Sequence, residues 1–224
     1  MPPLSKFVKG FIAVCVGIFL VQTFTPNILE PIFGFVPSRF SEGWIWQMVT
    51  YIFLHGGLLH LLMNMFVFAM FGSELDRLWG QKFFMIYTIG CGVGSILIYF
   101  IITLLFIGGN SMGSAVVGAS GAIYGLLLAY GLIFPDRQLL FMFLFPMPAK
   151  YFVMLIGAIE LYSTATQAND KIANLVHLSG ILVGYLILVI ETKRRNRSKN
   201  SSHGRGGFFK KNPKRHLKII INND

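Results

Sequence analysis

Charged residues are scarce in this chain of 224 residues, at 12% of the sequence, whereas hydrophobic residues make up 54%. Soluble globular domains carry about 25% charged residues. A mean hydropathy of +0.65 points the same way. Several apolar runs approach or exceed the roughly 20 residues that cross a bilayer core of about 30 Å. The composition excludes an ordinary soluble domain and predicts a polytopic membrane protein.

Cysteine is scarce as well. The chain has two, Cys15 and Cys91, and both lie inside apolar runs. Such cysteines are typical small buried hydrophobes, so neither a disulfide nor a metal site is predicted, and no cofactor is expected. The first apolar run has no small-residue cleavage site after it, which argues against a removed signal peptide.

Hydropathy predicts an all-α bundle of six transmembrane helices across residues 8–192. The predicted spans are 8–24, 48–71, 83–107, 119–134, 150–162 and 172–190. A charged turn is expected between the second and third spans, and the apolar stretch Leu139–Pro148, with two prolines, predicts an interfacial connection. Residues 1–7 form a short cytoplasmic N-terminus, and the basic tail 193–224 is expected to be disordered.

Basic residues set the predicted orientation. Six spans place both termini on one side, and that side holds seventeen of the nineteen lysine and arginine residues. The positive-inside rule then makes both termini cytoplasmic. The tail suits anionic lipid headgroups or plain topology control, and no nucleic-acid partner is expected.

Polar side chains cluster near the outer ends of spans two, four and six. They are His55, His60, Asn64, Ser120, Tyr124 and His177. Helix rise places Ser120 and His177 roughly 6 and 7 Å below the outer surface. A single intramembrane histidine often only satisfies a neighbouring backbone group, but convergence of several polar groups at one depth indicates a functional cavity.

Small residues surround the serine in the segment 118–125. Alone, this segment favours helix packing over catalysis, because Gly121 and Gly125 form a G-x-x-x-G pattern. Gly180 and Gly184 form a second such pattern, and His177 shares their helix face by i, i+3, i+7 spacing. The two patterns predict that spans four and six pack closely and bring His177 to Ser120, so packing and catalysis are compatible.

These motifs, in this order and spacing, resemble the rhomboid intramembrane serine proteases over about residues 8–192. The matching pieces are Gly118-Ala119-Ser120-Gly121, the stretch from His55 to Asn64, and His177 with the two glycines behind it. The loop differs at Gln47, where some relatives have arginine after the tryptophan. That difference concerns anchoring of the loop, not catalysis.

The resemblance implies a role for each residue. Ser120 would be the nucleophile and His177 its general base, with Tyr124 packed on the imidazole. His60, Asn64 and the Ser120 amide would stabilise the oxyanion beside Gly118, whereas His55 and the four glycines Gly121, Gly125, Gly180 and Gly184 would be structural.

Chemistry supports this assignment, because a serine hydroxyl needs an adjacent base and a helix N-terminus favours negative charge. We assign no acidic residue to the outer half of any span, so a dyad without a carboxylate is expected.

Three functions remain for comparison. The preferred one is a serine endopeptidase that cleaves single-span transmembrane substrates near their outer end, in a bacterial inner membrane. The alternative is a catalytically silent rhomboid-like protein that binds membrane clients, although silent relatives generally lack the serine or histidine. A transporter fits poorly, since no inverted repeat is visible.

Overall fold

The computed structural model describes residues 3–141, 145–166 and 171–203. Nine α-helices and one β-hairpin follow each other in these ranges, together with short 3₁₀ and π-helical turns. The helices are α1 Lys6–Phe24, α2 Leu29–Phe33, α3 Pro37–Ser41, α4 Gln47–Thr50, α5 Leu58–Trp79, α6 Gln81–Ile102, α7 Ser120–Ile133, α8 Ala149–Thr166 and α9 Lys171–His203. The fold is therefore mainly helical, as predicted.

Four helical segments are long and apolar enough to cross a membrane: Lys6–Phe24, Leu58–Trp79, Gln81–Ile107 and Ala173–Asn196. The third is α6 together with the π-helical turn Thr103–Ile107. Helix α7 is apolar but only 14 residues long. The chain is thus a multi-pass membrane protein, and the count of six spans stays a prediction.

The second predicted span is wrong at both ends. Its first quarter is the separate helix α4 and a 3₁₀ turn, because the chain breaks before Leu58 at Gly56 and Gly57. The Gln22 side chain stabilises this break. Its Oε1 accepts from the His55 amide at 3.1 Å, and its Nε2 donates to the His55 carbonyl at 3.3 Å. His55 accordingly precedes α5 and is not part of it.

At its C-terminal end α5 continues through the expected charged turn. Arg77 stays helical and donates to the carbonyls of Ser73 and Pro3, at 3.0 and 2.9 Å. Glu74 accepts from Tyr130 and Arg137, each at 2.9 Å. Because Arg77 and Glu74 have these partners, the helix continues through both residues. It ends at Gly80, whose φ of +79° turns the chain into α6.

The expected interfacial connection between α7 and α8 contains two antiparallel strands. Strand β1, Gln138–Phe141, pairs with β2, Phe145–Pro148. Helix α9 runs to His203, so the helix covers the first part of the tail for which disorder is expected. Residues 204–224 lie outside the described ranges.

The core is a continuous cluster of apolar side chains between α1, α5, α6, α7 and α9. Its largest fully buried members are Tyr51, Tyr87, Tyr99, Phe35, Phe68, Phe71 and Phe84. Among the elements described above, helices α7 and α9 make the most extensive contact. This contact determines the position of the candidate site.

The loop between α1 and α5 is anchored by Gln47, which is fully buried. Its Oε1 accepts from the Val36 amide at 3.0 Å. Its Nε2 lies 3.3 and 3.2 Å from the carbonyls of Pro31 and Ile32. Gln47 therefore anchors the loop, although some relatives have arginine at this position.

Candidate active site

Ser120 is the first residue of α7, and the segment before it is held by the loop. Phe35 and Val116 exchange two backbone hydrogen bonds of 2.9 and 2.8 Å, and the Gly118 amide donates to Tyr51 O at 2.9 Å. Inside α7 the bond from the Ile123 amide to Ala119 O closes the first turn. The amides at the N-terminus of a helix have no carbonyl acceptor one turn earlier in that helix. They therefore favour negative charge near Ser120.

Helices α7 and α9 approach each other through their glycines, as the spacing predicts. A Cβ on Gly180 would overlap the Gly121 carbonyl, and a Cβ on Gly184 would lie 3.0 Å from Gly125 Cα. Only glycine allows backbones this close. The approach brings His177, one turn before Gly180, to the start of α7.

His177 stacks on Tyr124, with ring centroids 4.2 Å apart and ring planes 10° from parallel. The imidazole edge that carries Nδ1 faces Glu160, with Nδ1 3.1 Å from Glu160 Oε1. Among the described residues Nδ1 has no partner in hydrogen-bond geometry, so its contact with Glu160 is one of distance and charge. The same carboxylate oxygen accepts a hydrogen bond from the Tyr124 hydroxyl.

The expectation that no carboxylate lies beside His177 is therefore wrong. Glu160 is on α8, and only 8% of its surface is exposed. It falls two residues before the end predicted for the fifth span, in that span's outer half. An ionisable residue inside a span is rare and usually functional, and this signal would have identified it from the sequence.

His60 packs against Gly118. A Cβ on Gly118 would lie 2.7 Å from His60 Cε1 and 2.9 Å from its Nε2. Gly118 has φ +122°, a conformation that also requires glycine. The Gly56 amide donates to His60 Nδ1 at 3.3 Å, so a neutral His60 carries its proton on Nε2, beside Gly118.

Ser120, His60 and His177 line one cavity of about 360 Å³. The other lining residues are Tyr51, Ala115, Val116, Val117, Gly118, Ala173 and Val176. A serine hydroxyl, two imidazoles and the N-terminal end of α7 thus meet in one space. Such a site can carry out nucleophilic attack with proton transfer and stabilise a developing oxyanion.

Asn64 and His55 lie behind this cavity, outside its lining. The Asn64 Nδ2 donates to the His60 carbonyl at 2.7 Å, one turn earlier on α5. His55 is buried, and its ring meets that of His60 edge to face, with centroids 5.3 Å apart. Both residues therefore support His60.

Comparison with known proteins gives concordant matches. The rhomboid domain matches residues 42–194, more than half of the chain. The rhomboid protease GlpG of Haemophilus influenzae is 27% identical over 189 residues, which cover 83% of this chain and 91% of GlpG.

Two eukaryotic relatives match over shorter stretches. Human rhomboid-related protein 3 is 29% identical over 52% of this chain and 26% of its own. The mitochondrial rhomboid protein 1 of Saccharomyces cerevisiae is 29% identical over 65% of this chain and 43% of its own. The domain match shows that the chain belongs to the rhomboid family, in agreement with these relatives and with the multi-pass helical fold, and this membership supports a role in intramembrane proteolysis.

Proposed function

We propose that the protein is a serine endopeptidase that cleaves single-span transmembrane substrates near their outer end. The observation that carries the proposal is the shared cavity of Ser120, His177 and His60. A transporter or a purely structural bundle does not require a serine at a helix N-terminus beside an imidazole.

In this proposal Ser120 Oγ attacks the scissile carbonyl while His177 Nε2 takes its proton. The tetrahedral oxyanion forms beside Gly118, where the Ser120 amide and His60 Nε2–H donate to it. His177 then gives the proton to the leaving amine. A water molecule, activated by the same base, hydrolyses the acyl-enzyme and regenerates Ser120.

Asn64 has a secondary place in this scheme. One hydrogen of its amide is committed to the His60 carbonyl. We therefore assign its principal effect to the orientation of His60, with direct donation to the oxyanion as the lesser contribution.

The depth of Ser120 supports attack from the outer side. Helix α7 has 14 residues and rises about 21 Å, about 9 Å less than a hydrocarbon core of about 30 Å. With the inner end of α7 at the cytoplasmic boundary, Ser120 lies below the outer surface. Both termini would be cytoplasmic, in a bacterial inner membrane, with the basic tail against anionic lipids.

A fluorophosphonate probe tests the proposal directly, because it reacts with an activated serine without any knowledge of the substrate. We expect labelling of the purified protein in detergent, and loss of labelling in Ser120→Ala and His177→Ala. Gly17→Ala on α1 is the control, since a Cβ there meets no atom within 4 Å. A folded wild-type protein that does not label would favour the client-binding alternative.

A further inference from the structure

Glu160 brings a third helix to the candidate site. Ser120 and Tyr124 belong to α7, and His177 belongs to α9, whereas Glu160 belongs to α8. A buried carboxylate in a membrane protein is costly unless charged or polar groups compensate it. Its partners include the Tyr124 hydroxyl and the His177 imidazole.

The position of the carboxylate determines what it does to the imidazole. A neutral histidine carries one ring proton, and the group that each nitrogen faces decides which nitrogen carries it. Nδ1 lies 3.1 Å from Glu160 Oε1, and the negative charge of the carboxylate favours the form that has the proton on Nδ1. Nε2 is then left as the acceptor that a general base requires.

Tyr124 restrains both partners at once. Its ring lies flat on the imidazole at 4.2 Å, and its hydroxyl donates to Glu160 Oε1. The stacking sets the plane of the imidazole, and the hydroxyl sets the position of the carboxylate. Together they leave His177 little freedom to rotate away from Ser120.

We propose that Glu160 is a positioning residue for His177, so that the site works as a Glu160–His177–Ser120 triad and not as a dyad. The proposal rests on the proposed serine protease function. The carboxylate holds the tautomer that has Nε2 free. It also stabilises the imidazolium that forms when His177 accepts the serine proton.

The rival explanation is an ion pair that only holds α8 against α7 and α9. Glu74 provides a matched control, since it accepts from Tyr130 as Glu160 accepts from Tyr124, and it also joins two helices. Neither carboxylate lines the cavity, but Glu160 lies beside the lining residue His177, whereas Glu74 accepts from Tyr130 and Arg137, which do not line it. If both contacts are purely structural, Glu74→Gln and Glu160→Gln should therefore change thermal stability and labelling rate in the same way.

The first test compares Glu160→Gln, Glu160→Asp and Glu74→Gln by fluorophosphonate labelling rate, kcat, KM and thermal stability. We expect Glu160→Gln to lower the labelling rate and kcat at least about tenfold, towards the loss of about 10⁴ known for the triad aspartate. KM should change little. Glu160→Asp, which keeps the charge, should recover part of the loss, and Glu74→Gln should leave the labelling rate unchanged.

The second test locates the ring proton of His177 in the wild-type protein by ¹⁵N NMR of histidine-labelled material, with His177→Ala to assign the signal. We expect the proton on Nδ1, and a loss of this preference in Glu160→Leu. Because it needs no turnover, this measurement decides the positioning role even if the wild-type protein proves inactive.

Two results would overturn the proposal. One is a neutral wild-type His177 with its proton on Nε2. The other is a labelling rate in Glu160→Gln equal to that of the wild type. In contrast, failure of the wild type to label, with the proton found on Nδ1, would reject the protease function and leave the Glu160–His177 contact established.

Discussion

Gly180→Ala tests whether the contact between α7 and α9 positions the site. The added Cβ would lie 2.9 Å from Gly121 C and 3.1 Å from Gly121 Cα, and it would overlap the carbonyl oxygen. Carbon atoms pack at about 3.5–4.0 Å, so relief of the two carbon contacts needs a separation of at least about 0.5 Å, and relief of the overlap with the oxygen needs more. All three neighbours are backbone atoms, and no side-chain rotation can relieve the clash.

The cost follows from the type of clash. Overpacking of a core costs about 1–3 kcal/mol, whereas replacing a helical glycine by alanine gains about 0.5–1 kcal/mol. Gly157→Ala on α8 isolates the second term, because a Cβ there meets only Ile181 Cδ1 at 3.9 Å. The difference between the two variants should thus be about 1–3 kcal/mol in the free energy of unfolding.

Thermal unfolding in detergent measures this difference. At about 2–4 °C per kcal/mol for a chain of this size, Gly180→Ala should melt about 2–12 °C below Gly157→Ala. Activity should fall too, because His177 moves with α9, and 1 Å of misplacement can cost 10²-fold. A Gly180→Ala protein as stable and as active as Gly157→Ala would refute close packing through these glycines.

Three further predictions concern the oxyanion donors, the loop and the cut. His60→Ala should lower kcat by about 10²–10³ with little change in KM, and Asn64→Ala should lower it less; the reverse order would make Asn64 the direct donor. Gln47→Leu leaves buried backbone groups unpaired at about 1–3 kcal/mol each, so its melting temperature should fall by several degrees, and an unchanged value would contradict the anchoring role. Cleavage of a tagged single-span substrate should map by mass spectrometry to its outer juxtamembrane part, after a small residue, and should slow when a helix-destabilising glycine there becomes leucine; cuts in the cytoplasmic half would overturn the proposed orientation.

The sequence by itself determined the class of protein, the bounds of α1 and α7 to within two residues, and the helix faces that meet. Hydrophobic runs and the 3.6-residue period are local properties, so they can be read without tertiary contacts. The face shared by His177 and Gly180 was predictable for this reason. The location in a membrane was predictable in the same way, because a long apolar run is visible in the local sequence and requires a bilayer.

Other features depended on contacts between distant residues. The start of α5 could not be read from hydropathy, because the apolar run continues through the non-helical residues before Leu58. This break is stabilised by Gln22 of α1, which hydrogen-bonds the backbone of His55. The persistence of α5 through its charged end likewise depends on Tyr130 and Arg137, more than fifty residues away.

Only the tertiary structure decided which side chains meet at the site. Glu160 was visible in the sequence as an ionisable residue in an apolar run, but its partner was not. A helical period gives the direction in which a side chain points around its own axis. It does not give the height or rotation of one helix relative to another, and these are set by packing. The glycine contact between α7 and α9, with α8 against both, places Tyr124, Glu160 and His177 together.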